Sequence, residues 1–111
     1  MKWITAYVRP HRLDDIRQAL AFIGISGLTV IETLGAGTPG WVEVYRGAEY
    51  YRDVEPYLTI ELMIDDGLCE QVIEAICNLA RTGRPGDGKI VVRELSEIHR
   101  VRTGEQGSGV L

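Results

Sequence analysis

Apolar and polar positions alternate from Trp3 to Arg9, a stretch rich in strand-forming residues, and Pro10 closes it; this predicts a first strand. Leu13, Ile16, Leu20 and Ile23 then fall at helical spacing, with Asp14, Asp15, Arg17 and Gln18 on the wet side and Gly24 as the stop. Leu28 to Leu34 reads as a second strand, closed by Gly35-Ala36-Gly37. From Thr38 to Glu55 no clean period survives, although Trp41, Tyr45, Tyr50 and Tyr51 fall there. A loop of that length in a small domain is uncommon and usually functional. Tyr57 to Ile64 is a third strand with Pro56 at its mouth. Leu68 to Arg81 is a second amphipathic helix, with Val72, Ile73, Ile76 and Leu79 inward and Gly83 as its end. Ile90 to Leu95 is a fourth strand, Ile98 to Arg102 a short extended piece, and the glycine-rich tail over 103–111 is expected to be mobile.

Strand, helix, strand, loop, strand, helix, strand is the split βαβ plan, so an α+β, ferredoxin-like βαββαβ fold is expected. Each helix has one apolar stripe, which places both on one face of a four-stranded antiparallel sheet. The first strand is apolar on both sides: Ile4, Ala6 and Val8 on one, Trp3, Thr5, Tyr7 and Arg9 on the other. The face without helices should therefore be covered by sister subunits.

Composition narrows the class. A length of 111 residues means one domain. No apolar run approaches the roughly 20 residues of a membrane span, and a first strand that begins at once leaves no room for a secretion signal. A formal charge of −4 disfavours nonspecific nucleic-acid binding. Cys69 and Cys77 would lie about 12 Å apart along one helix, too far for a disulfide, and read as reduced core thiols of a cytoplasmic protein. His11 and His99 are isolated from any zinc-like spacing.

The candidate chemistry lies in the last third of the chain. Thr82-Gly83-Arg84-Pro85-Gly86-Asp87-Gly88-Lys89 combines flexible glycines with a cation, and Arg100 and Arg102 add two more. Glycines would let the backbone approach a ligand where a Cβ would clash, and converging cations suit a polyphosphate. If residues 100–102 are extended, both arginines point to one face. Hydrogen bonds to charged groups contribute on the order of 1.5–3 kcal/mol each. Lys89, Arg100 and Arg102 could thus supply most of the roughly 8 kcal/mol of a micromolar affinity. The plainer alternative is an Asp-Gly turn, a surface lysine, and arginines paired with Glu97 or Glu105.

In order and spacing, several segments resemble the PII signal-transduction family. They are Arg9-Pro10-His11-Arg12-Leu13-Asp14-Asp15-Ile16-Arg17-Gln18-Ala19-Leu20, Gly24-Ile25-Ser26-Gly27-Leu28-Thr29-Val30, and Tyr45-Arg46-Gly47-Ala48-Glu49-Tyr50. Ala80-Arg81-Thr82-Gly83, Gly86-Asp87-Gly88-Lys89-Ile90 and Arg100-Val101-Arg102-Thr103-Gly104-Glu105 complete the set. The resemblance implies a homotrimer that binds ATP or ADP, and conceivably AMP, in clefts between subunits, with Mg2+ accompanying ATP. It implies a regulator of nitrogen metabolism, not an enzyme, acting on partners through a long loop, the T-loop, over about residues 37–55. By the same resemblance Gly35, Ala36, Gly37, Gly86, Asp87, Gly88 and Lys89 line the nucleotide. Thr29 and Glu61 lie near base and ribose, Met63 is a further nucleotide-binding residue, and Arg100 and Arg102 reach the phosphates across the subunit boundary. Tyr50 matches a modified tyrosine of some members, with Tyr51 beside it as a competing target. Arg46 resembles a residue that enters an ammonium channel, and Trp41 and Tyr45 are further candidate contacts for a regulated enzyme or transporter.

Two departures stand out. Family members carry Gly-x-Gly-Arg-Gln-Lys-Gly where this chain has Gly35-Ala36-Gly37-Thr38-Pro39-Gly40, so the glutamine that helps hold magnesium and 2-oxoglutarate has no counterpart. The family's 2-oxoglutarate lysine aligns with Tyr57. A dicarboxylate buried without its cation is costly, so weak or absent 2-oxoglutarate binding is expected. Some divergent members serve carbon or metal transport, which leaves the regulated process open. A slow ATPase or phosphotransferase is the competing class, with Asp87 its sole candidate base; a nucleotide-free structural trimer is the third.

Overall fold

The computed structural model describes residues 1–35 and 55–111 in full and, between them, the backbone of two short strands. The elements are β1 (Lys2–Val8), α1 (Leu13–Ile23), β2 (Thr29–Gly35), β3 (Val42–Tyr45), β4 (Ala48–Tyr51), β5 (Glu55–Ile64), α2 (Cys69–Ala80) and β6 (Lys89–Glu94). Single 3-10 turns cover Pro10–Arg12, Asp66–Leu68 and Ser108–Val110. β2, β5, β1 and β6 form, in that order, one antiparallel sheet, the ferredoxin-like arrangement. Among the described residues, β3 and β4 pair with each other in a separate two-stranded sheet. The stretch that showed no period in sequence thus contains a two-stranded ribbon.

Period-2 alternation decides the two faces of the sheet. Ile4, Ala6 and Val8 of β1 and Leu58, Ile60, Leu62 and Ile64 of β5 point to the helices and are buried. Ile16 and Leu20 from α1 and Val72, Ile76 and Ala80 from α2 close this core, with Leu13, Ile23 and Leu79 at its margin. Acidic Asp14 and Asp15 in the first turn of α1 oppose the positive end of its dipole. That helix stops at Gly24, whose φ of 103° is left-handed, while Ile25 N–H returns to the Leu20 carbonyl at 2.9 Å. In α2 the stop comes earlier than Gly83: Arg81 is already extended and its N–H bonds the Cys77 carbonyl at 3.0 Å. Both cysteines are free.

The other face carries Trp3, Thr5 and Tyr7 across from Thr59, Glu61 and Met63 of β5 and from Lys89, Val91 and Arg93 of β6. Thr29, Ile31 and Thr33 of β2 extend it. No helix among the described residues covers it, yet Thr5 is only 1% exposed at its centre. The Arg93 guanidinium lies 4.6 Å from the Trp3 ring centroid. Trp3 Nε1 and Thr5 Oγ1 are buried there without a hydrogen-bond partner among the described residues.

The end of the chain is not a simple strand. Residues 101–103 form a turn, His99 bridges Gln106, and Gly107 N–H bonds the Ile98 carbonyl at 3.1 Å. The extended piece expected over Ile98 to Arg102 is therefore replaced by a tight reversal. Gly104, with φ of 75°, and Thr103, whose hydroxyl accepts the Glu105 N–H at 3.2 Å, supply its turn chemistry.

Candidate nucleotide site

The loop between α2 and β6 is fixed by one carboxylate. Asp87 accepts the Thr82 N–H at 2.7 Å, the Thr82 hydroxyl at 2.5 Å and the Gly83 N–H at 2.9 Å. Arg9 Nε stands 3.7 Å from its other side. The Thr82 hydroxyl, the Thr82 and Gly83 amides and the Arg9 charge together hold the Asp87 carboxyl below its ordinary value of 3.8. An anion so engaged by its own loop is a weaker base than a free carboxylate.

Two side chains from outside the loop brace its glycine end. Arg9, just past β1, donates from Nη2 to the Pro85 carbonyl at 2.9 Å. Tyr57 of β5 donates its phenol to the Gly86 carbonyl at 3.1 Å. The glycines answer to these neighbours. A Cβ on Gly86 would come 2.9 Å from Arg9 Nη2 and 3.4 Å from the Tyr57 hydroxyl. On Gly88 it would lie 1.7 Å from the Tyr7 carbonyl oxygen. Sequence reasoning assigned the missing Cβ of both to ligand approach. At Gly88 the close approach is to the chain's own first strand, which lets Lys89 enter β6 opposite Tyr7.

A cleft of about 380 Å3 opens beside this loop, between α2 and the start of β6. Arg81, Asp87, Gly88 and Lys89 form its polar side, and Ile73, Ile76, Cys77, Ala80 and Ile90 its apolar floor. Two cations thus flank a carboxylate that is already engaged, a donor set that fits a polyanion, and the volume is in the range of small-molecule sites. In the sequence Arg81 stands only within the Ala80-Arg81-Thr82-Gly83 motif; in the fold it is the extended residue just past α2 and lines the cleft.

The remaining expected residues do not converge here within one protomer. Thr29 and Glu61 are cross-strand partners on the helix-free face, with Met63 two positions further along β5. Gly35 ends β2 against the Tyr57 ring, where a Cβ would come 2.9 Å from Cδ2. Arg100 and Arg102 follow the far end of β6, and neither lines the cleft. Arg100 Nη1 donates to Glu105 Oε2 at 2.6 Å, the plainer of the two readings. Arg102 is exposed on the 101–103 turn, so the expected shared face of an extended strand does not form. Ala36 and Gly37, and the side chains of Trp41, Tyr45, Arg46, Tyr50 and Tyr51, lie outside the described residues. Arg9 and Tyr57 are the braces that the sequence did not reveal as such. Their signal was only positional, since Arg9 follows β1 and Tyr57 lies in β5, 76 and 29 residues from the loop carbonyls they hold.

Comparison with known proteins places the whole arrangement. A family model described as "Nitrogen regulatory protein P-II" matches residues 1–105. Over 112 aligned residues, with all of both chains covered, the protein is 49% identical to a nitrogen regulatory protein P-II of Rhodospirillum rubrum. The corresponding figures are 47% for Azospirillum brasilense and 43% for P-II 1 of Escherichia coli, again with both chains fully covered. With the ferredoxin-like sheet, the glycine loop and similarity along its full length all in agreement, the chain belongs to the nitrogen regulatory protein P-II family.

Proposed function

We propose that the protein is a homotrimeric signalling regulator that binds ATP and ADP between subunits and controls partner proteins through the segment around residues 37–55. The observation that carries this reading is the cleft lined by Arg81 and Lys89 beside a glycine loop whose Asp87 anion is held by Thr82, Gly83 and Arg9. AMP would reach the same cleft with fewer phosphate contacts, and Mg2+ would enter with ATP. The separation of Thr29, Glu61 and Met63 from Lys89, and of both groups from Arg100 and Arg102, supports a site completed by neighbouring protomers. So does the helix-free face, whose centre carries a buried Thr5 and an unpartnered Trp3 indole.

The relatives, nitrogen regulatory proteins by name, favour nitrogen regulation as the process, with a regulated enzyme or a membrane transporter such as an ammonium channel as partner. No helix among the described residues is long and apolar enough to cross a membrane. Recruitment from the cytoplasm by a transporter partner is part of the same reading. A regulator rather than an enzyme is supported by the engagement of Asp87. Weak or absent 2-oxoglutarate binding is supported by Tyr57, a neutral phenol committed to the Gly86 carbonyl.

Thermal unfolding with and without ATP tests the reading. At 100-fold above the dissociation constant ATP should add about 2.7 kcal/mol. For a domain of this size that is a rise of several degrees at least. No rise with millimolar ATP, ADP or AMP, or a monomer in sedimentation, would overturn it. Sustained turnover of many ATP per minute would favour the enzyme class instead. A sub-millimolar, Mg-ATP-dependent calorimetric signal for 2-oxoglutarate would refute the exclusion of that ligand.

A further inference from the structure

Tyr57 occupies an unusual position between two glycines from distant parts of the chain. Its ring lies over Gly35 at the end of β2, where a Cβ would come 2.9 Å from Cδ2 and 3.1 Å from Cε2. Its hydroxyl donates to the Gly86 carbonyl at 3.1 Å. Its backbone carbonyl accepts the Thr33 hydroxyl at 3.3 Å, which anchors the β5 side of the wedge to β2. The ring therefore has a floor that only glycine provides and a tip that holds the loop carrying Asp87 and Lys89. Gly86 sits at φ of 96°, a conformation with no side chain of its own to stabilise it. Its orientation depends on what grips its carbonyl.

We propose that Tyr57 is a positioning residue of the nucleotide site: seated on Gly35, it fixes the Gly86 carbonyl and so presents Lys89 to the phosphate chain. Tyr57 touches no ligand in this role. The inference rests on the nucleotide reading given above and adds to it the residue that sets the geometry of its loop. Arg9, bonded to the Pro85 carbonyl, is the second brace, which is why loss of the phenol loosens the loop without collapsing it.

The test is ATP affinity by calorimetry in the full chain for wild type, Tyr57→Phe, Lys89→Gln and the double variant, with thermal melts alongside. Tyr57→Phe keeps the ring on Gly35 and deletes only the hydroxyl. A net neutral hydrogen bond corresponds to about a 3- to 10-fold loss of affinity. That loss should be present with Lys89 and largely absent in the Lys89→Gln background, because the hydroxyl acts through the presentation of Lys89. A general structural defect would lower both backgrounds alike. Gly35→Ala approaches the same ring from the other side and should weaken ATP to a similar degree, with no added loss once Tyr57 is alanine. Wild type that binds no ATP overturns both readings. Wild type that binds, with Tyr57→Phe equal to it or additive with Lys89→Gln, overturns the role of Tyr57 and leaves the nucleotide reading standing.

Discussion

Gly88→Ala isolates the cost of bringing the glycine loop against β1. Gly88 sits at φ of 104°, and a Cβ there would lie 1.7 Å from the Tyr7 carbonyl oxygen and 2.8 Å from its carbon. Gly24 has nearly the same φ, 103°, but a Cβ there meets nothing within 4 Å. Left-handed backbone costs an ordinary residue about 1–2 kcal/mol, and Gly24→Ala should show that cost alone. Gly88→Ala adds a steric term that cannot relax through a side chain, because the obstacle is backbone. The Tyr7 oxygen must retreat by more than 1 Å from that Cβ to reach even the 3.0 Å limit of real contacts. Tyr7 pairs with Lys89, so this retreat disrupts the end of the β1–β6 ladder. A broken, partly buried backbone hydrogen bond adds about 1–3 kcal/mol. The sum for Gly88→Ala is about 2–5 kcal/mol, a large part of the roughly 5–15 kcal/mol that holds a domain folded. Urea unfolding at one fixed protomer concentration measures both variants against wild type. Equal losses for Gly24→Ala and Gly88→Ala, within about 0.5 kcal/mol, would refute the close approach and return Gly88 to a purely conformational role.

Asp87 makes the loop acid-sensitive. Its folded pKa lies below the ordinary 3.8, so its contribution is fully present above that value and is lost as pH falls through the lowered one. Asp87→Asn should therefore be clearly less stable than wild type in urea at about pH 6, with the gap closing as pH falls below the ordinary carboxylate range. A gap that does not change with pH would contradict the charge-based account. On the helix-free face, Ile31 is 44% exposed in one protomer. Ile31→Lys should shift the trimer toward monomer in sedimentation equilibrium while leaving far-ultraviolet circular dichroism unchanged; an intact trimer would remove this face from the interface.

The helical parts of the fold were legible because their signals are redundant. α1 has Pro10 before it, Asp14 and Asp15 in its first turn, a four-residue apolar stripe and Gly24 after it. The β3–β4 ribbon was not, because each strand is only four residues long. Val42, Glu43 and Val44 do alternate, and two residues, Arg46 and Gly47, separate the paired Tyr45 and Ala48. That is a two-residue spacer ending in glycine, a hairpin signal too short to outweigh the aperiodic flanks. Arg100 and Arg102 misled for a different reason. Spacing of two implies one face only in a strand, and Thr103-Gly104 imposes a turn instead. At the site, the loop 82–89 was readable by composition, but its braces were not. The Arg9 and Tyr57 contacts arise from sheet register, and sequence distance conceals which side chain will reach a loop.

Because Gly88 and Asp87 hold the loop together, loss of binding on changing either would not show that it touches nucleotide. Lys89 separates the two questions. It is exposed at the first position of β6, opposite Tyr7, and lines the cleft with Arg81. Neither the core nor the Asp87 network includes its ammonium. Lys89→Gln keeps polarity and part of the aliphatic stem and removes the charge, so stability should stay within about 0.5 kcal/mol of wild type. A charge-assisted hydrogen bond to phosphate contributes about 1.5–3 kcal/mol, so ATP affinity should fall by about 10- to 150-fold. That combination, intact folding with weakened binding, is what a contact predicts and a scaffold role does not. The loss should also shrink from ATP to AMP as phosphates are removed, since a point charge acts on whatever anion lies nearest. Unchanged ATP affinity in a fully folded Lys89→Gln variant would mean that the cleft's cations are not what holds the phosphate chain.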